Sequence, residues 1–289
     1  MLPLESVPNF SEGRDPAAIA ALGEALGSPA RLLDVHADPD HNRSVFTLVG
    51  SGEELIESLL AGIEVARERI DLRRQEGAHP RIGAADVVPI VPIVAGDMVR
   101  ARETALALGE RVGALGLPVF IYAPPERGPA FYRRGGTEGL QSRIDAGELA
   151  PDFGPFRLDP GAGAVIVGAR RPLIALNVNL RGPLEAAREI AALVREQGGG
   201  FPGVRALGLD LPSAGLVQVS MNVEEWEAVG LHEIVARIGA EAAERGAEVA
   251  GSELVGMLPA GAAIAAAGAA LGIEGLDASR VLELRLLDP

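Results

Sequence analysis

Cysteine and lysine are both absent from this 289-residue sequence. Without thiols there is no disulfide, no thiolate nucleophile and no thiolate metal site. Without a lysine amine there is no Schiff-base chemistry. All 26 basic side chains are arginines, which grip carboxylates through two parallel hydrogen bonds. Aromatic residues amount to only 3% of the chain, so a core must be built from Leu, Val, Ile and Ala. Long apolar runs are missing too: residues 258–271 are mostly Ala and Gly, too short and too weakly hydrophobic to cross a bilayer. Positive charge is in deficit, with a formal net charge of −14. Phosphate backbones are bound by clustered cations, so nucleic acid is not an expected partner. The N-terminal residues show no charged stretch followed by an apolar one, so a cytoplasmic protein with no membrane partner is expected.

What is present is an alternating α/β pattern. Residues 4–10 read as a strand and 15–26 as a helix, with Asp15 as cap and Pro16 in its first turn. Residues 30–37 and 43–50 read as strands by alternation and β-branched content. Residues 51–73 have strong helical periodicity, with Ser51 and Glu54 spaced as a capping box. Residues 85–94 form a further strand, in which Pro89 and Pro92 predict an edge position or a bulge. The second half repeats the order: strand 171–180, helix 182–197, strands 204–211 and 215–223, helix 231–246 and strand 252–257. Between the halves, residues 97–170 hold a helix, a strand at 117–123 and a Gly- and Pro-rich stretch that reads as irregular and functional. The fold class is α/β, with two ferredoxin-like βαββαβ-type subdomains, residues 1–170 and 171–289, and a ligand-binding groove between them.

Four constellations could carry chemistry. His79, between Gly77 and Pro80, is suited either to proton transfer near neutral pH or to a structural turn. Residues 34–45 crowd Asp34, His36, Asp38, Asp40 and His41 together, which suits a divalent metal of a phosphoesterase or an ordinary polar hairpin. Arg133, Arg134 and Arg143, with Arg170 and Arg171, could clamp carboxylates or form a solvated face. Residues 161–170 place their glycines before a strand, the reverse of a dinucleotide-binding loop, which excludes that reading.

The segments ESVPNFSEGR (5–14), DVHADPDHNRSVFTLVG (34–50), AHPRIGAADVVPIVPI (78–93), PDFGP (151–155), VGARRPLIALNVNL (167–180), VQVSMN (217–222) and SELVGMLP (252–259) occur in order. Together they resemble the formiminotransferase family. The resemblance implies transfer of a formimidoyl group from N-formimidoyl-L-glutamate to N5 of tetrahydrofolate, with release of glutamate, in histidine degradation. It also implies folate in the groove between two α/β subdomains, a homodimer, and a monofunctional chain without the cyclodeaminase to which vertebrate members are fused. Tetrahydrofolate is then a co-substrate, and no metal is required.

By the same resemblance His79, in an HPR motif, is the catalytic histidine. The folate-contacting loops fall at 154–163, with Gly154, Pro155, Gly161 and Gly163, and approximately at 199–208, with Gly203, Val204 and Gly208. Asp38, Asp40, Asn42 and Arg43 join the substrate-binding set. Asp38 and Asp40 are expected to orient His79, with His36 and His41 as helpers, and Arg133, Arg134 and Arg143 to hold carboxylates. Two positions depart from the family pattern: Ser6 replaces a frequent Cys, and Asp159 stands where bacterial relatives often have His. The alternative activity is formyl transfer between 5-formyltetrahydrofolate and glutamate; a metal-dependent phosphoesterase and a non-catalytic folate-binding module are the other rivals.

Overall fold

The computed structural model describes residues 2–122 and 127–287. The chain divides into two units, Met1–Arg171 and Pro172–Pro289.

The first unit opens with β1 (Leu4–Ser6) and β2 (Asn9–Phe10), one expected strand in two pieces. Pro8 has no N–H to give a ladder and lies at the break. Then follow α1 (Pro16–Leu26), β3 (Arg31–Asp38), β4 (Arg43–Gly50), α2 (Gly52–Arg69) and β5 (Ala85–Pro92). Asp15 caps α1 by accepting from the Ala17 N–H, and Ser51 and Glu54 make the expected capping box on α2. α2 stops four residues short of the expected end, because Ile70 turns extended and is buried and Asp71 caps a separate short turn at 72–74. α3 (Met98–Ala114), β6 (Val119–Tyr122), α4 (Pro129–Arg133), α5 (Gly136–Asp145) and β7 (Val165–Ala169) complete the unit. Ala123, the last residue of the expected strand at 117–123, lies outside the described residues.

β4 lies between β3 and the interrupted pair β1 and β2, which borders β5; β7 and then β6 follow. Pairings among β1 to β5 are antiparallel, while β7 runs parallel to β5 and β6. β5 is therefore interior, not the edge that its prolines predict. Ile90 pairs with Ser6 and Val87 with Asn9, so Pro89 faces the break between β1 and β2, where no ladder donor is needed. Its carbonyl accepts the Ser6 hydroxyl at 2.8 Å. A bulge is present, not at the prolines but at Asp86, which is the extra residue between Ala85 and Val87 where they pair with Phe10 and Asn9.

Alternation along β6 and β7 assigns two cores. Val119, Val165 and Val167 join the main core with residues of α1, α2 and α3, while Phe120, Tyr122 and Ile166 join a second core with Tyr132, Leu140 and Ile144. The supposedly irregular stretch thus contains two helices, α4 and α5. Leu140 and Ile144, four apart, bury one face of α5, and the Tyr132 hydroxyl donates to the Ile121 carbonyl at 2.9 Å. Gly135 and Gly136, at φ +77° and +64°, make the turn between the helices.

The second unit consists of β8 (Ile174–Arg181), α6 (Leu184–Val194), β9 (Val204–Leu211), β10 (Leu216–Val223), α7 (Leu231–Glu244), β11 (Glu248–Val255), α8 (Ala260–Leu271) and α9 (Leu282–Leu287). Its sheet has the order β11–β8–β10–β9, antiparallel throughout. Val178, Val219, Ile190, Ile234 and Ile238 are buried at its centre, each worth about 1.5–3 kcal/mol relative to exposure.

Candidate active site

The hairpin turn between β3 and β4 and the segment 75–84 are built as one piece. Asp38 Oδ1 accepts the amides of Asp40 at 2.8 Å and His41 at 2.7 Å, closing the turn. Asn42 takes φ +47°, which its short amide side chain tolerates. Its Oδ1 accepts the Gly13 amide at 2.9 Å, and its Nδ2 donates to Gln75 Oε1 and the Glu76 carbonyl. The Ala78 amide donates to the Asp40 carbonyl at 3.0 Å. Arg81, two residues past His79, donates to the carbonyls of Asn42 at 2.9 Å, His41 at 2.7 Å and His79 at 3.3 Å.

His79 is half-buried, with its ring stacked at 6.2 Å on that of His41. Nδ1 lies 2.8 Å from the Pro80 carbonyl. A carbonyl can only accept, so Nδ1 carries the proton and Nε2 presents a lone pair. Desolvation, followed by the positive charges of Arg43 and Arg133, holds the imidazolium well below the usual 6.5, opposed by Asp86 and the Pro80 carbonyl. The ring is therefore neutral at neutral pH.

Asp86 is completely buried. Its Oδ2 accepts from Arg43 Nη1 at 2.9 Å and from Arg133 Nε at 2.9 Å and Nη2 at 2.5 Å; Oδ1 accepts the Ile82 amide at 2.8 Å. Burial opposes its charge, but Arg133 and Arg43 outweigh that and hold it far below the ordinary carboxylate range. Desolvation lowers Arg43 to about 10, so it remains a cation at neutral pH.

The loop 154–163 adjoins this segment directly. The Ala84 amide donates to the Ala162 carbonyl at 2.8 Å, the Ala164 amide to the Ile82 carbonyl at 3.0 Å, and Gly83 bridges Gly163. Gly163 has φ +72°, and a side chain there would strike Ile82 O. Gly154, at φ +81°, is pressed similarly against the Leu117 carbonyl, while Pro155 and Phe156 are exposed. The amides of Gly161 and Ala162 donate to Asp159 Oδ1 at 2.9 and 2.8 Å, and Arg67 lies 3.4 Å from Oδ2. Asp159 thus holds its own turn.

The structure brings together His79, Arg43, Arg133, the turn containing Asp38, Asp40, His41 and Asn42, and the strand pair bounding the loop that ends at Gly163. Asp86, which the sequence reading does not name, is a carboxylate that acts on His79; Asp38 Oδ1 closes the hairpin turn, and the Asp40 carbonyl accepts the Ala78 amide. Of the three arginines expected to hold carboxylates, only Arg133 acts on the ring. Arg143 stacks 4.4 Å over Phe131 and donates to its carbonyl, fastening α5 to α4, and Arg134 is exposed. Asp34 and His36 pair with Thr47 and Val45, on the same sheet face as Arg43. Arg170 acts on Glu5, whose carboxyl is pushed up by burial. Gly203, at φ +65° against Glu225, Val204 in the core, and Gly208 against the backbone of α6 belong to the second unit. Among the described residues no group of three or more His, Cys, Asp or Glu is placed to hold a metal ion.

Asp86, Arg81 and Asn9, which also hold this cluster together, are not among the residues expected from the sequence. Asp86 had a signal, a single carboxylate in the apolar run AADVVPIVPI, since a buried charge demands a partner.

Two family models match, "Formiminotransferase domain, N-terminal subdomain" over residues 3–170 and "Formiminotransferase domain" over residues 175–274. The chain belongs to the formiminotransferase family. It is similar to the glutamate formimidoyltransferases of Streptococcus pyogenes serotype M1 and Thermoplasma acidophilum, each 38% identical over 98% of this chain; 98% and 97% of those relatives are covered. A formimidoyltransferase-cyclodeaminase of Sus scrofa is 40% identical over 91% of this chain, which spans 51% of that protein. In this formiminotransferase chain the first sheet, and the second apart from Ile174, lie within matched regions, and the Asp86 cluster lies in the N-terminal one.

Proposed function

We propose that this protein transfers the formimidoyl group of N-formimidoyl-L-glutamate to N5 of tetrahydrofolate and releases glutamate. The observation that carries the reading is the state of His79, a neutral ring with Nδ1–H on the Pro80 carbonyl and an unprotonated Nε2. A new bond from N5 to the amidine carbon and loss of the old carbon–nitrogen bond require one proton to leave N5 and one to reach the departing glutamate nitrogen. His79 Nε2 can accept the first and return it as the second, a contribution of roughly 10²–10⁴-fold. The rest comes from holding two substrates in line.

Both substrates carry glutamyl carboxylates. Arg43 and Arg133 are the cations placed to receive one beside His79. We infer that the loop 154–163 contacts folate and that the segment 199–208 of the second unit is a further folate-contacting loop, in which Gly203, Val204 and Gly208 hold the backbone in place rather than touch the ligand through side chains. With β1 and β2 counted as one interrupted strand, each unit contains the element order β-α-β-β-α-β, which supports the reading of two ferredoxin-like subdomains. We further propose a cytoplasmic homodimer acting in histidine degradation, with tetrahydrofolate as co-substrate.

The test is an end-point assay with tetrahydrofolate and either formimidoylglutamate or formylglutamate as donor. Glutamate release from the first, dependent on tetrahydrofolate, insensitive to chelator and reduced by roughly 10²-fold or more in His79→Ala with folate affinity retained, supports the proposal. Release from formylglutamate alone moves the assignment to formyl transfer, and a fully active His79→Ala removes the histidine from the mechanism.

A further inference from the structure

Asp86 owes its position to the bulge in β5. Asn9 and Phe10 pair with Val87 and Ala85, so the strand carries one extra residue at Asp86. A bulge re-aims the side chain it carries, and here it directs a carboxylate into full burial against cations from two other elements. A fourth contact, to the Ile82 amide, ties the same carboxylate to the end of the segment that displays His79.

The charge count is unequal. Two guanidinium groups surround one carboxylate, leaving the cluster with a surplus positive charge. Arg133 spends its Nε and Nη2 on Asp86, and Arg43 spends Nε on Asn9 and Nη1 on Asp86. Among the described residues no hydrogen bond engages Arg133 Nη1 or Arg43 Nη2, so each arginine keeps a donor for an anion.

We propose that Asp86 is a positioning residue for the transfer: its buried carboxylate fixes the Arg43 and Arg133 guanidinium groups beside the His79 ring and anchors the segment bearing that ring. This rests on the reading of His79 as the proton carrier. The groups facing His79 are Arg43 from β4, Arg133 from α4, Asp86 from β5, His41 from the hairpin turn and Arg81 on its own segment. Asp86 therefore offsets part of the positive field at the ring. Its removal and the removal of an arginine must act on His79 in opposite directions, whereas loosening of a purely structural cluster gives both variants the same sign.

The experiment is NMR titration of the histidine rings, of which the chain has only His36, His41, His79 and His232, with His79→Gln assigning the resonance. Wild type, Arg133→Gln, Asp86→Asn and Asp86→Glu are compared, alongside the pH profile of kcat/KM. Arg133→Gln leaves a neutral Arg43–Asp86 pair and is the variant expected to fold in every case. It should raise the His79 midpoint by about one pH unit, and the acidic limb of kcat/KM should follow it. Asp86→Asn should move both the other way and raise the KM of the glutamate-bearing donor, while Asp86→Glu restores kcat/KM to within about tenfold of wild type. If Asp86→Asn does not fold, Arg133→Gln and Asp86→Glu decide. An unchanged His79 midpoint in Arg133→Gln, or shifts of the same sign in Arg133→Gln and Asp86→Asn, would overturn the proposal. Wild-type transfer without these shifts counts against Asp86; shifts without wild-type transfer count against the formimidoyl reading.

Discussion

Replacing Asp86 by Asn should cost more stability than replacing Arg133 by Gln, although both belong to one cluster. Asp86 is fully buried, and the Arg43 and Arg133 side chains are only 8% and 14% exposed. Removing the carboxylate leaves two buried cations facing each other with no counter-charge. Breaking a buried pair in this way costs about 3–5 kcal/mol, because the orphaned charge keeps its desolvation penalty. Arg133→Gln leaves Asp86 bonded to Arg43 and to the Ile82 amide, so its cost is that of a charged hydrogen bond, about 1.5–3 kcal/mol. At roughly 2–4 °C per kcal/mol for a unit of this size, Asp86→Asn should lower its midpoint by roughly 6–20 °C. A triple replacement by apolar residues, Arg43→Met with Asp86→Leu and Arg133→Leu, should recover most of that stability while abolishing transfer. Calorimetry of the four proteins at pH 7 reads the order directly. Arg133→Gln costing as much as Asp86→Asn, or Asp86→Asn costing less than about 1 kcal/mol, would refute the reasoning.

Two further outcomes follow from single residues. An ideal Cβ at Gly208 would lie 2.6 Å from the Ala187 carbonyl carbon of α6, so Gly208→Ala should destabilise the second unit by about 1–3 kcal/mol; Gly251→Ala in β11, with open space around it, should change little, and urea midpoints compare them. The depressed His79 gives a signed pH effect: below about 6.5 the unfolded ring binds a proton that the native ring refuses. Its contribution to stability is complete above that value and falls away as the pH drops towards the lower native one, a slope that His79→Gln should flatten in denaturation measured from pH 7 to 4.

Elements were legible where local chemistry and burial agreed. The capping box of α2, the Asp15 cap of α1 and the bounds of β4 are each fixed within a few neighbouring residues, and the structure places them as read, although β4 is buried on both faces rather than alternating. The edge alternative for β5 fails because Pro89 faces a break in a strand some eighty residues earlier, which no local window contains. The helices α4 and α5 were hidden by glycines and prolines that serve their ends and the turn between them. At the candidate site, the Gly- and Pro-bounded segment carrying His79 and the turn at Gly163 were legible as tight loops, and the structure joins them through the Ala84–Ala162 and Ala164–Ile82 hydrogen bonds. The part taken by Asp86 was not legible, because it reaches the cluster through a bulge that no local window of sequence contains.

The absence of lysine has a consequence at this cluster. Arg133 works along two edges: Nε and Nη2 are committed to Asp86, and Nη1 remains for an incoming anion. A planar guanidinium holds both partners without moving, whereas an ammonium is a point charge at the end of a flexible stem. Arg133→Lys preserves the net charge of the cluster, so the field at His79 and the acidic limb of the pH profile should change little. It cannot keep the forked contact with Asp86 and a second donor aimed at substrate together. The expected result is a KM for the glutamate-bearing donor raised about tenfold, near the 1.4 kcal/mol of one charged hydrogen bond, with kcat nearly preserved. Steady-state kinetics at two pH values separate the two effects: an unchanged KM would mean that Arg133 acts on the site by charge alone, and its free edge would have no part in binding.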